Sequence, residues 1–385
     1  MNSTVCVMTS AHPPSDVRIF HKQCKSLRRA GYEVILVAPH AASELREGIE
    51  LLAVRPAGSR LLRLICTTWR VYRTARQARA DVYHFHDPEL IPVGLLLRAR
   101  GKPVIYDVHE DLPCTLSYKP YLSSWLIKPL AKVIDWFERH LAQVLSALVV
   151  ATPEIAERFR SHPTVVVVQN YPRLEEFQAG VTASKETSKP PHVVYVGLRI
   201  TRARGAVEMV RAMGLLPESL DVRLKLAGKI EPPELLNELQ SLDGWKKTDY
   251  LGMLDRQEIA SLVRGASAGL VVLHPEPNYV TAHPVKLFEY MCAGIPVIAS
   301  DFPVCRQVIL PSDCGLLVDP QSPRQIAAAI NFLCSEPQRA VQMGRQGMQA
   351  VLTRYNWSVE EKKLLDVYRR LCDTPIFNQV KAEAT

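Results

Sequence analysis

The stretch His283–Asp301, HPVKLFEYMCAGIPVIASD, decides how the rest of the chain is read. Pro284 suits the first position of a helix, where a missing N–H costs nothing. Leu287, Phe288 and Met291 recur at three- and four-residue steps and give one apolar stripe. Gly294 is then the expected left-handed terminator, and Pro296 blocks continuation. Ile295, Val297, Ile298 and Ala299 read as a strand buried on both faces. The chemistry lies at the helix start. The N–H groups of Val285, Lys286 and Leu287, the positive end of the helix dipole and the Lys286 ammonium converge on one spot, which makes an anion site. Glu289 lies in the opening turns, within reach of a hydroxyl attached to the same anion. A phosphate beside a diol describes a nucleotide sugar. The spacing by itself is equally satisfied by an ordinary capped helix in an α/β domain.

The rest of the chain repeats the strand–loop–helix theme. Thr4–Thr9 reads as a strand, Asp16 as the cap of a helix lined by Ile19, Phe20, Gln23, Cys24 and Leu27, and Tyr32–Ala38 as a second strand, which together make a parallel βαβ unit. The loop between them, SAHPPS, lacks the glycines of a dinucleotide fingerprint. His12, Asp16 and Arg18 fall at this strand end and are candidates for an acceptor or phosphate, with a solvated arginine as the plain alternative for Arg18. Asp81–His86 is a strand closed by Asp87-Pro88, and Pro103–Asp107 is a strand that runs out into His109-Glu110. His86, His109 and Glu110 therefore sit where open parallel sheets place their ligands. Residues 181–191 are polar and form the best linker candidate. After them the pattern restarts, with His192–Gly197 as strand, an arginine-bearing loop of Arg199, Arg202 and Arg204, and a helix from Ala206. A strand then ends at Gly228-Lys229, and Lys229 is expected to point into the same crevice.

The motif KLFEYMCAGIPVIASD resembles the donor-binding motif of retaining GT-B glycosyltransferases of the group 1, or family 4, set. HFHDPELIPVGLL and IYDVHEDLP resemble the N-terminal domain of the same set, and the resemblance runs from Thr4 to Leu371. It implies two doubly wound, Rossmann-like domains facing across a cleft: residues 1–180 on the acceptor side and 188–357 on the nucleotide-sugar donor side. The segment 358–385 would carry a helix, Tyr355–Leu371, crossing back onto the first domain. By the same resemblance Glu289 holds the donor ribose, the backbone of Val285–Leu287 the diphosphate, and His109 the donor sugar. Arg204 takes the place of a clamping lysine and Arg199 stands nearest to that of a clamping arginine, with Gly197 and Lys229 beside them. Where the family carries a first glutamate, eight residues before Glu289, this chain has Thr281.

Composition bounds the setting. The chain has 385 residues, 47% hydrophobic and 22% charged, which describes a folded protein of two ordinary domains. No apolar run approaches the roughly 18–20 residues that cross a bilayer, and no secretory signal is read at the N-terminus. Nine cysteines without CxxC spacing imply free thiols in a reducing compartment. The net charge of +8 implies anionic partners. Residues 60–80 and 118–136 are cationic and aromatic. Each suits either an anionic membrane face or an ordinary helix packed on its own domain. No Asp-x-Asp occurs, so no metal and no cofactor is expected, and the leaving diphosphate must be stabilised by cations and helix dipoles.

The expected activity is a retaining transfer of a hexosyl group from a UDP- or GDP-sugar to a lipid-linked glycan or similar acceptor for surface polysaccharide. The expected place is the cytoplasm, peripheral on the inner face of the membrane, with no nucleic-acid partner. A nucleotide-sugar epimerase and a catalytically silent binding subunit are the alternatives.

Overall fold

The computed structural model describes residues 3–58, 63–113, 124–175, 191–281 and 283–372. The chain forms two compact units. One comprises the residues up to Asn170 together with those from Trp357 onward, and the other is Tyr171–Asn356. The division falls after Asn170, ten residues before the expected limit of the first domain. The expected linker at 181–190 lies outside the described residues.

The first unit is built on strands β1 (Thr4–Met8), β2 (Glu33–Pro39), β3 (Glu44–Arg46), β4 (Ile49–Val54), β5 (Val82–Phe85), β6 (Val104–Val108), β7 (Ala147–Val150) and β8 (Val165–Val167). Their order is β3-β4-β2-β1-β5-β6-β7-β8, parallel except for β3 against β4. The central strands are fully buried, as continuous runs such as VYHF and ALVV require when helices cover both faces. Asp16 caps the first helix by accepting the N–H groups of Arg18 and Ile19, both at 2.9 Å. The last helix, Trp357–Cys372, belongs to this unit, as expected. Its Trp357 donates to Ser26 at 2.9 Å, and its Glu360 accepts the N–H of Gln169 at 2.9 Å.

The second unit is an all-parallel sheet of β9 (His192–Ile200), β10 (Arg223–Ile230), β11 (Thr248–Gly252), β12 (Ala268–Val271), β13 (Val297–Ser300) and β14 (Gly315–Val318). The order is β11-β10-β9-β12-β13-β14. Strand order therefore reverses beside β9 in this sheet and beside β1 in the first, and ligands of open parallel sheets bind at such points. The opening motif folds as read, with shifts at two edges, one of which leaves Ile295 outside the strand. Its helix covers Val285–Cys292, and Pro284 stands just outside it with an extended ψ of 118°. Gly294 is left-handed at φ +72°, and Val297–Ser300 is buried throughout. Tyr290, on the inner face, fixes this helix over the sheet: its hydroxyl accepts the Val196 N–H at 3.0 Å. The ring fits only because position 269 is glycine, where a Cβ would come within 2.2 Å of it.

Candidate active site

A cavity of about 780 Å³ opens beyond the carboxyl ends of β9 and β10 in the second unit. Its floor is Val196, Gly197, Ala227 and Gly228. Gly228 has φ +143°, and a Cβ there would lie 2.0 Å from the Gly197 carbonyl oxygen, so the two strand ends touch backbone to backbone. Glycine at both places lets a ligand approach the main chain closely. Lys286 and Glu289 close one side. The helix Arg256–Arg264, with Met253 and Leu254 before it, closes the other.

The cations are arranged more narrowly than the sequence suggests. Burial lowers the Lys286 ammonium, Glu289 opposes this, and the nearby Arg204 adds to it. Arg204 is half-buried and its charge is opposed by burial, yet the phenols of Tyr195 and Tyr279 more than restore it. Its guanidinium lies 5.7 Å from the Tyr279 ring centre. Two cations are thus held near each other with Glu289 as the carboxylate at hand. Such an arrangement is costly without an anion and favourable with one. Leu287 donates its N–H to the Pro284 carbonyl at 3.1 Å, so the opening turn offers at most the N–H groups of Val285 and Lys286. That corrects the expected set of three.

Arg199 and Lys229 do not line the cavity. Both are largely exposed and share Glu231, with Lys229 at 2.9 Å and Arg199 at 3.6 Å from its carboxylate. The register shift between β9 and β10 at Gly228 aligns Lys229 with Arg199 on an extension of the two strands. The hydroxyl of Thr281 donates to the Pro277 carbonyl at 3.0 Å. The wall from Met253 to Arg264 and the contact of His274 with Glu208 at 3.0 Å were not read from the sequence. The β–α step after Gly252 was the available signal.

In the first unit the strand ends carry a closed cluster. Asp107 is fully buried, and Arg18 grips it with Nε and Nη2 at 3.1 and 2.8 Å. Gln23 donates to the same carboxylate at 2.5 Å. Burial raises the Asp107 carboxyl, but Arg18 and then His109 outweigh it and hold it well below its ordinary value. Arg18 and His86 are therefore interior residues, 4% and 2% exposed, which corrects the reading of Arg18 as an acceptor or phosphate ligand and of His86 as a cleft residue. Burial likewise holds His84 and His86 below the ordinary histidine value. His12 lies 3.6 Å from Asp16 and 3.4 Å from Asp87. Its hydrogen bond to Asp16 raises it against the opposing effect of burial. Asp87 does not cap the Pro88 turn. It accepts from the Thr9 hydroxyl at 2.7 Å and the Ser10 N–H at 2.6 Å instead. His109 keeps 17% of its side chain exposed, and Glu110 is exposed. His84, His86 and Asp107 bring ligand atoms within 4.8 Å of one another. A cation there would meet a carboxylate already taken by Arg18 and Gln23, with a guanidinium beside it, so the set is a poor metal site.

Two parallel-sheet units with a cationic crevice at a strand-order reversal define a GT-B glycosyltransferase. Residues 17–171 match the glycosyl transferase 4-like domain, and residues 181–350 match the glycosyl transferases group 1 model. The chain belongs to the group 1, family 4 glycosyltransferases and is an enzyme of the transferase class. It is 25% identical over 380 residues to a phosphatidyl-myo-inositol mannosyltransferase of Mycolicibacterium smegmatis, covering 93% of this chain and 90% of that one. It is 22% identical over 299 residues to a glycogen synthase of Mycobacterium tuberculosis, covering 77% and 70%. Among solved structures, the sucrose-phosphate synthase of Thermosynechococcus elongatus superposes with a TM-score of 0.75 at 18% identity, over 96% of this chain and 99% of that one. HepE of Anabaena in complex with UDP-glucose gives a TM-score of 0.68 at 14% identity, over 96% and 100%.

Proposed function

We propose that the enzyme moves a hexosyl group from a UDP- or GDP-sugar to a hydroxyl of a lipid-linked glycan, with retention and without a metal or other cofactor. The observation that carries this is the crevice of the second unit, lined by Lys286 at the start of the Val285–Cys292 helix, with Arg204 near enough to act on the Lys286 charge. The donor diphosphate completes that charge arrangement, and Glu289 takes the ribose hydroxyls. As the bond from C1 to the diphosphate oxygen breaks, negative charge grows on the leaving group. Arg204, Lys286 and the helix end stabilise it electrostatically. The acceptor oxygen bonds to C1 from the same face, and its proton passes to the departing phosphate oxygen. His109 contributes a hydrogen bond to the donor sugar. The UDP-glucose complex of HepE and the lipid-linked substrate in the mannosyltransferase's name agree with this choice of donor and acceptor classes.

The acceptor places the first unit at a membrane face. Among the described residues no helix is long and apolar enough to cross a membrane. Yet Ile65 and Trp69 on one helical stretch, and Val133, Trp136 and Phe137 on the helix Ser124–Ala142, are about half exposed or more. Arg70, Arg73, Arg76 and Lys132 are exposed beside them. Aromatics flanked by cations suit an anionic interface, where each Lys or Arg contributes about 1 kcal/mol. Trp125 and Lys128, counted with this stretch in the sequence, lie outside the residues whose side chains are described.

Thr281 supports one other reading. With its hydroxyl spent on Pro277 and no carboxylate at that place, a silent donor-binding subunit would also fit. Incubation with labelled UDP- and GDP-sugars and a lipid extract separates the two. Transfer to lipid that persists in EDTA is expected. Binding without turnover would favour the silent subunit, and rescue only by Mg²⁺ or Mn²⁺ would overturn the metal-free step. Glu289→Ala is expected to abolish donor binding in calorimetry while the protein stays folded.

A further inference from the structure

The two nitrogens of a neutral imidazole differ, and the partner of one fixes the role of the other. His109 is such a case. Its Nε2 lies 2.9 Å from Nδ1 of His86 and 3.6 Å from Oδ2 of Asp107. Nδ1 of His86 is itself 3.4 Å from that oxygen. Nε2 of His86 is buried without a hydrogen-bond partner. Between two neutral rings at this distance, one nitrogen must donate. If the His86 proton sat on Nε2, a buried N–H would be orphaned, at about 1–3 kcal/mol, and a bare lone pair would face a carboxylate. With the proton on Nδ1, it points at both the His109 nitrogen and the Asp107 oxygen. What stays unpartnered is then a lone pair, and buried acceptors go unpaired more readily than buried donors.

We infer that His86 is a positioning residue that donates its Nδ1–H to Nε2 of His109 and so holds His109 as the tautomer protonated at Nδ1. The charge that orients His86 is Asp107, and Asp107 is fixed by Arg18 and Gln23. Tyr368, from the last helix, lies 2.6 Å from Nδ1 of His84, whose Nε2 lies 3.8 Å from Asp107. The other groups about His109 are the His12 ring, at 5.3 Å between centres, and the carboxylates of Asp16 and Glu110 near His12. In this tautomer His109 meets a ligand as a hydrogen-bond donor and not as a base. It can serve a sugar hydroxyl or a departing phosphate oxygen, which rests on the role given to His109 above.

The test uses the full chain labelled with ¹⁵N-histidine, and long-range proton–nitrogen spectra at pH 7.5 with His109 assigned by its loss in His109→Gln. The expected spectrum shows His109 protonated at Nδ1 and bare at Nε2. His86→Phe should move the proton to Nε2, and His86→Gln, whose amide can donate, should restore the original pattern. A wild-type His109 protonated at Nε2, or at both nitrogens, overturns the inference. So does an unchanged pattern in a folded His86→Phe protein. If that variant does not fold, the wild-type spectrum decides alone. In the transfer assay His86→Phe should lower turnover by about 10²-fold with little change in donor KM, and His86→Gln should recover part of it. The tautomer is read without substrate. An inactive wild type with the expected tautomer would count against the transferase reading and not against His86.

Discussion

The two units carry their charges in opposite ways. In the first, Asp107 and Arg18 are sealed from solvent and each satisfies the other. In the second, Lys286 borders an open cavity with Arg204 close enough to act on its charge, and the nearby carboxylate, Glu289, does not balance both. A buried pair of matched ions is a piece of architecture, because neither member can be spared. An unmatched pair of cations at a helix start is a site, because an incoming anion supplies the missing charge.

Asp107→Ala breaks this contrast most directly. It leaves the Arg18 guanidinium buried without its counter-charge, which costs about 3–5 kcal/mol. A urea titration should show the loss, or no folded protein at all. Glu289→Ala, at the open site, should leave the urea midpoint almost unchanged while donor binding disappears. Equal stability losses in the two variants would show that the second cluster is architectural as well.

Acidification probes the same difference. Burial holds the pKa of His84 and His86 below that of the unfolded chain, near 6.5. Below about pH 6.5 the unfolded chain binds protons that the native state refuses. Stability should therefore be full above that pH and fall as pH drops, at up to about 1.4 kcal/mol per pH unit for each histidine. Asp107, also held low, contributes above its unfolded value of about 3.9 and is lost only below it. Urea midpoints from pH 7.5 to 4.5 check the window, and a flat profile would show that these rings take up protons in the native state as readily as in the unfolded chain.

Much of this was legible in the sequence because local chemistry dictates it. The stripe Leu287, Phe288, Met291, the stop at Gly294 and the apolar run to Ala299 need no tertiary information, and they fold as read. Glu289 and Lys286 followed from their place in the opening turns of that helix, and both line the cavity. Arg199 and Lys229 did not, because a one-residue register shift at Gly228 carried them away from it. Arg18 read as an acceptor or phosphate ligand, or else as a solvated arginine, because its buried partner stands 89 residues away in the chain. The wall from Met253 to Arg264 was missed because its residues carry no motif and are brought to the site only by strand order.

Lys286→Ala sharpens the charge argument. Charge-assisted hydrogen bonds contribute about 1.5–3 kcal/mol each, so UDP affinity should fall by about 10- to 100-fold. Stability should hold or rise slightly, since a desolvated ammonium is removed. Calorimetry with UDP reads the first effect and thermal unfolding the second. An unchanged affinity would leave Arg204 and the helix end as the whole anion site.

The smallest effect is expected at the joint that holds the open site in place. Tyr290 is 1% exposed, and its hydroxyl accepts the N–H of Val196, a residue of the cavity floor. Burial raises the phenol, so it stays protonated and neutral across the working range of pH. Tyr290→Phe keeps the ring against Gly269 and removes only the acceptor. An orphaned buried N–H costs about 1–3 kcal/mol, and here the lower end applies because Val196 borders a cavity large enough to admit water. The same bond ties the helix bearing Lys286 and Glu289 to the end of β9, so its loss should also weaken UDP binding, by less than Lys286→Ala does. A stability loss of about 1 kcal/mol with a slight drop in affinity is the expected pair of results. A full stability loss with unaltered affinity would mean that the helix is positioned by its apolar face alone, through Leu287, Phe288 and Met291.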